Sequence, residues 1–166
     1  STLTYLSIGL DAGVSRRKAI EEAIYSTPSL LLDFGKADIV VNTRAYSLLP
    51  EGVQASAADI ILPVDSGEEM EILNENLPFA KIAWQIDAGI MQFLRRTFPC
   101  ASIRPHMWPL LTYLSSKTSD GNSAKVHAHL GAATTDIIVF GGDGRLLAAT
   151  TKSCPSPADS AYYIPV

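Results

Sequence analysis

The stretch from His127 to Thr151, HAHLGAATTDIIVFGGDGRLLAATT, constrains the fold more than any other part of the chain. Ile137-Ile138-Val139-Phe140 is a strongly β-prone run. The glycine-rich segment Gly141-Gly142-Asp143-Gly144 supplies the positive backbone angles of a hairpin turn, and Arg145 to Thr151 returns as the partner strand. Upstream, Val126 to Leu130 reads as a further strand, with His127 and His129 on one side. Between these strands lies the small-residue loop Leu130-Gly131-Ala132-Ala133-Thr134-Thr135-Asp136. Such a loop lets backbone N–H groups approach an anion, and the two threonine hydroxyls add donors. The same residues also suit an ordinary buried hairpin with a tight turn.

Gly131, Thr134, Thr135 and Asp136, followed by an apolar strand, resemble the second phosphate hairpin of the actin-like ATPase superfamily. Its pattern is roughly Asp-x-Gly-x-Gly-Thr-Thr-Asp, and its members include actin, sugar kinases, heat-shock chaperones and pilus-assembly ATPases. Two positions depart from that pattern. His129 stands where the family has its metal-organising aspartate, and Ala133 stands at the second glycine. Magnesium is a hard cation that prefers oxygen ligands, so an imidazole there weighs against ATP hydrolysis. Near the N-terminus, Ile8 to Ser15 resembles the first phosphate loop of the same superfamily, Gly-x-Asp-x-Gly-x-Ser/Thr, with Asp11, Gly13 and Ser15 on the pattern. As plain chemistry, Asp and Gly are common turn residues, and the segment also reads as the turn that ends a strand.

Taken in order, Leu3 to Leu10 reads as a strand running into that loop. Arg16 to Tyr25 follows as a helix with Ser15 as N-cap and Ala19, Ile20, Ala23 and Ile24 on one stripe, so the return strand of a first hairpin is shortened or absent. Ala37 to Asn42 and Ala58 to Val64 read as strands, with a helical turn between Glu51 and Ala57. The acidic stretch Asp65 to Asn76 reads as a solvated loop or frayed helix, with a partner-binding surface as the functional alternative. Phe79 to Ile86 alternates as a strand. Asp87 caps a helix from Ala88 to Phe98 that ends in Arg95 and Arg96, and Pro99 stops it. After a short strand at Ala101 to Arg104, a helix carries Trp108, Leu110, Leu111 and Leu114. Trp84 and Trp108 read as core. Ser115 to Ser123 has linker composition, which places a boundary between residues 118 and 119.

Composition narrows the functional classes. With 47% hydrophobic residues the chain can bury a core, and a net charge of −4 with pI near 5.3 lacks the basic face of a nucleic-acid binder. There is no apolar run long enough for a membrane span. Cys100 and Cys154 fit neither a disulfide framework nor a zinc spacing, which suits a reducing, cytoplasmic setting. His127 and His129 can begin a zinc site, for which His106 and Asp136 are the candidate recruits, although ordinary packing explains them as well. There is no Gly-x-Ser-x-Gly elbow, and the glycine-rich turn lacks the lysine of a Walker loop.

Leu48-Leu49-Pro50, the Phe98-Pro99 helix end, and the hairpin followed by Asp159 and Tyr162-Tyr163-Ile164 resemble an uncharacterised Bacteroidetes family with an actin-like ATPase fold and no established biochemical role. The resemblance implies an α/β chain of two ribonuclease-H-like halves. Residues 1–118 form the first, and 119–166 begin the second, which lacks the strands and helices that complete it and the adenosine-binding glycine motif. No cofactor is fixed by the sequence; ATP with magnesium is the one the resemblance implies. Two functions follow. One is a degenerate, non-catalytic or weakly nucleotide-binding scaffold that engages a protein partner. The other is an active ATPase or phosphotransferase using Asp11 and Asp136 for metal and Thr134 and Thr135 for phosphate. An unrelated α/β domain that binds a partner through the acidic stretch is a third reading.

Overall fold

A computed structural model describes residues 4–50, 69–117, 123–156 and 158–159. The chain divides into two compact units: Ser1–Ile39, Gly67–Glu71 and Ile86–Ile103 form one; Val40–Ser66, Ile72–Gln85 and Arg104–Val166 form the other. The expected boundary between 118 and 119, the strand at 58–64 and the helical turn at 51–57 lie outside the described residues.

In the first unit, α1 (Arg16–Tyr25) begins as expected, with the Ser15 side chain accepting from the Lys18 N–H. Helix α2 (Ala88–Thr97) is capped by Asp87, whose carboxylate accepts from the Ile90 N–H at 2.7 Å. These caps satisfy donors that a helix start otherwise leaves open. Ile90, Met91, Phe93 and Leu94 give α2 its buried face, and Tyr25 meets Phe93 edge-on at 5.7 Å. Arg95 near the end of α2 reaches back to Glu71 at 2.8 Å. The expected strand at Leu3 to Leu10 does not form: residues 4–10 are irregular, with Tyr5, Leu6, Ile8 and Leu10 exposed. An apolar segment does not make a strand by itself; a neighbouring ladder is required, and the residues after the loop are committed to α1.

Strands β1 (Ala37–Val41) and β5 (Ala101–Pro105) pair as a two-stranded sheet. A second sheet runs in the order β2-β4-β3, from β2 (Tyr46–Pro50), β3 (Met70–Leu77) and β4 (Ala80–Asp87). Central β4 buries Ile82, Ala83, Trp84, Gln85 and Ile86 in succession instead of alternating, the pattern of a strand covered on both faces. Pro50 lies on an edge strand, where its missing N–H costs no ladder bond. The acidic stretch is β3 over most of its length and not a loop. Leu77 anchors its end in the core, and Glu75 is offset by Arg104 at 3.8 Å.

The third sheet, β6-β7-β8, is the expected hairpin system: β6 (Lys125–Leu130), β7 (Thr134–Phe140) and β8 (Leu146–Ser153), all antiparallel. Gly144 turns β7 into β8 at φ 79°, and the Gly141 N–H donates to the Arg145 carbonyl. The register slips at Val139/Phe140, so that Phe140 faces Leu146 and Val139 faces Ala148. Leu147 is the extra residue of that bulge and is exposed. Ile138 and Phe140 enter one core with Leu77, Ala80, Ile82 and, from α3 (Met107–Ser115), Met107 and Leu111. A Gly144→Ala variant should lose about 1–2 kcal/mol, because an L side chain is strained at that φ. Urea unfolding of the two proteins checks this, and an unchanged midpoint contradicts it.

Candidate functional site

The period-two pattern of the hairpin puts His129, Asp136 and Thr151 in one row across β6, β7 and β8. Asp136 is 1% exposed. A buried carboxylate persists only if its oxygens are well supplied with donors. Here Oδ1 accepts from the Thr151 hydroxyl at 2.7 Å and lies 3.0 Å from His106 Nε2, while Oδ2 lies 3.0 Å from His129 Nδ1. Tyr46 OH is 3.1 Å from Thr151 Oγ1 and extends the chain of donors.

The partners fix the ring tautomers. The Thr43 N–H donates to His106 Nδ1 at 3.4 Å, so His106 carries its proton on Nε2 and gives it to Asp136. His106 sits just before α3, and its backbone N–H donates to the Val41 carbonyl. Burial pushes the Asp136 carboxyl up, but the bonds from His106, Thr151 and His129 outweigh it and hold the group below the usual carboxylate range. Burial pushes the Tyr46 phenol up to about 12, against the Thr151 hydrogen bond and with the help of the Asp136 charge.

The turn that follows His129 is closed on itself. The Gly131 N–H donates to the Thr134 carbonyl at 2.8 Å, and the Cys154 N–H donates to the Ala133 carbonyl. Gly131 allows a close approach: a Cβ there would come within 3.1 Å of the Thr134 carbonyl oxygen and hydroxyl, a tight contact to which the turn would have to adjust. Thr134 is partly exposed, whereas Thr135 is fully buried. His127, on the same face as His129, packs edge-on against Phe140 at 6.0 Å, and its Nε2 is buried with no partner. Among the described residues no group of three or more His, Cys, Asp or Glu could hold a metal ion. His106, which the sequence offers only as a recruit to a zinc site, is instead a hydrogen-bond partner of Asp136.

Asp11, Gly13 and Ser15 belong to the other unit and are all exposed. Asp11 Oδ1 accepts from the Gly13 N–H at 2.7 Å, an Asx turn closed within three residues, and Ser15 serves as the cap of α1. Sequence reasoning missed Tyr46, Thr43 and Thr151. Thr151 was open to detection by counting back from the glycine turn; the other two come from distant parts of the chain.

No curated protein matches this chain. A crystal structure of a Bacteroides thetaiotaomicron protein, described as having an actin-like ATPase fold and unknown function, superposes with a TM-score of 0.80 at 23% identity. The match covers 93% of this chain and 62% of that one, so the chain spans less than two thirds of its neighbour. Among the described residues no helix is long and apolar enough to cross a membrane. Residues 2–166 match the family described as protein of unknown function (DUF3822), so the chain belongs to that family and carries the actin-like ATPase fold.

Proposed function

We propose that the chain is a scaffold on the actin-like fold whose nucleotide site has degenerated, and that it serves a protein assembly without turning over ATP. The observation that carries this reading is the enclosure of Asp136. Its two oxygens are held by His106, Thr151 and His129, and it is closed to solvent. A magnesium ligand needs an oxygen free to face the ion and its waters. His129 stands in front of the carboxylate as a nitrogen donor, a poor exchange for a hard cation. The self-closed turn and the buried Thr135 leave few donors for a phosphate group.

Isothermal titration of the full chain with Mg-ATP tests the reading. The expected result is no tight binding and no ATP turnover, with the Asp11→Ala variant indistinguishable from the parent. Sub-micromolar affinity, or turnover that Asp11→Ala abolishes, would favour the active phosphotransferase reading instead.

A further inference from the structure

We propose that Nε2 of His129 is a phosphoryl-acceptor site, a place where the hairpin takes a covalent phosphoryl group from a small donor. The site is built from the interior outward. Tyr46, Thr151 and His106 supply the buried side of Asp136, which keeps its charge. The other carboxylate oxygen then takes the Nδ1–H of His129 at 3.0 Å. That bond selects the tautomer in which Nε2 holds the lone pair and fixes the plane of the ring. The His129 side chain is 55% exposed, whereas the carboxylate behind it is 1% exposed. The ring that carries the nucleophilic nitrogen is therefore more than half exposed, while the negative charge behind it is shielded from an approaching anion.

The surroundings leave steric room for a small donor to reach the ring, without binding it as a phosphate cradle would. Gly131, Ala132 and Ala133 follow directly, all exposed, and none carries a side chain beyond a methyl group. The other histidines of the hairpin region lack this arrangement. His106 is buried with both nitrogens engaged. His127 has its Nε2 buried. No group of three ligands among the described residues draws His129 toward a metal.

The step balances without a further reactant when the donor is a phosphoramidate. The Nε2 lone pair attacks phosphorus and forms an N–P bond as the P–N bond to the leaving ammonia breaks. The Nδ1 proton stays in place, and the positive charge that develops on the ring is met by Asp136. The inference does not depend on nucleotide binding, so it and the scaffold reading can fail separately.

The test is treatment of the full chain with phosphoramidate at neutral pH, followed by mass spectrometry of peptides kept from acid. The expected product carries one phosphoryl group on His129, formed at least about tenfold faster in the folded chain than in the same chain unfolded in urea. His129→Gln should abolish it and His127→Gln should leave it unchanged. Equal rates in folded and unfolded chains would overturn the proposal, as would preferential labelling of His127 or His106. The folded-to-unfolded comparison requires no variant, so instability of Asp136 substitutions does not obscure the outcome.

Discussion

Replacing Asp136 with alanine should destabilise the chain by about 3–5 kcal/mol, because it leaves the His106 Nε2–H and the Thr151 hydroxyl in the interior without their acceptor. For a chain of this size, that lowers the thermal midpoint by roughly 10 °C. The stabilisation also has a pH signature. The Asp136 carboxyl titrates lower in the folded chain than its ordinary value of about 3.9. Its contribution is complete above that ordinary value and is lost as pH falls through the lowered one. Asp136→Ala should therefore narrow its stability gap to the parent protein in strong acid. Urea melts at neutral and acid pH check both points. A variant that melts with the parent at neutral pH would mean that the network contributes nothing net.

Phe140→Ala should cost a similar amount, about 3–5 kcal/mol, for a different reason. The Phe140 ring is fully buried and meets Phe79 and His127 edge-on, in a core shared by β3, β4, β7 and α3. Its removal deletes buried apolar surface and leaves a cavity that a strand locked in a ladder cannot collapse to fill. This loss should be nearly independent of pH above the carboxylate range, which separates it from the Asp136 effect. Phe140→Leu should recover part of it. If Leu and Ala behave alike, packing at that position is not what holds β7 to its neighbours.

The elements legible in the sequence are those specified by neighbours along the chain. Ser15 and Asp87 announce α1 and α2 because capping is a matter of three residues. Gly141 to Gly144 announces its turn because one position there requires a left-handed backbone. Leu3 to Leu10 reads as a strand but is irregular over 4–10, and Asp65 to Asn76 reads as a loop or frayed helix but forms β3 from Met70 onward. Whether a segment is a strand depends on its partner: β3 has β4 beside it, and residues 4–10 form no strand. Of the candidate site, the sequence indicated the hairpin and the unusual position of His129. It did not indicate that Asp136 is sealed, because His106 reaches it from 30 residues away and Tyr46, which bonds its partner Thr151, comes from farther still. The match of Asp136 to a metal-site pattern held at the level of residue type. The donors around it, which decide its chemistry, are a property of the tertiary structure.

Each ladder of the β6-β7-β8 sheet joins strands that are consecutive in the chain. The β2–β4 ladder instead brings Tyr46 to Trp84 across a long intervening segment. Short loops close at small entropic cost, and local pairings form fast. The expectation is that this meander organises early during folding, carrying His129, Asp136 and Thr151 into line, and that His106 and Tyr46 then dock against a row already assembled.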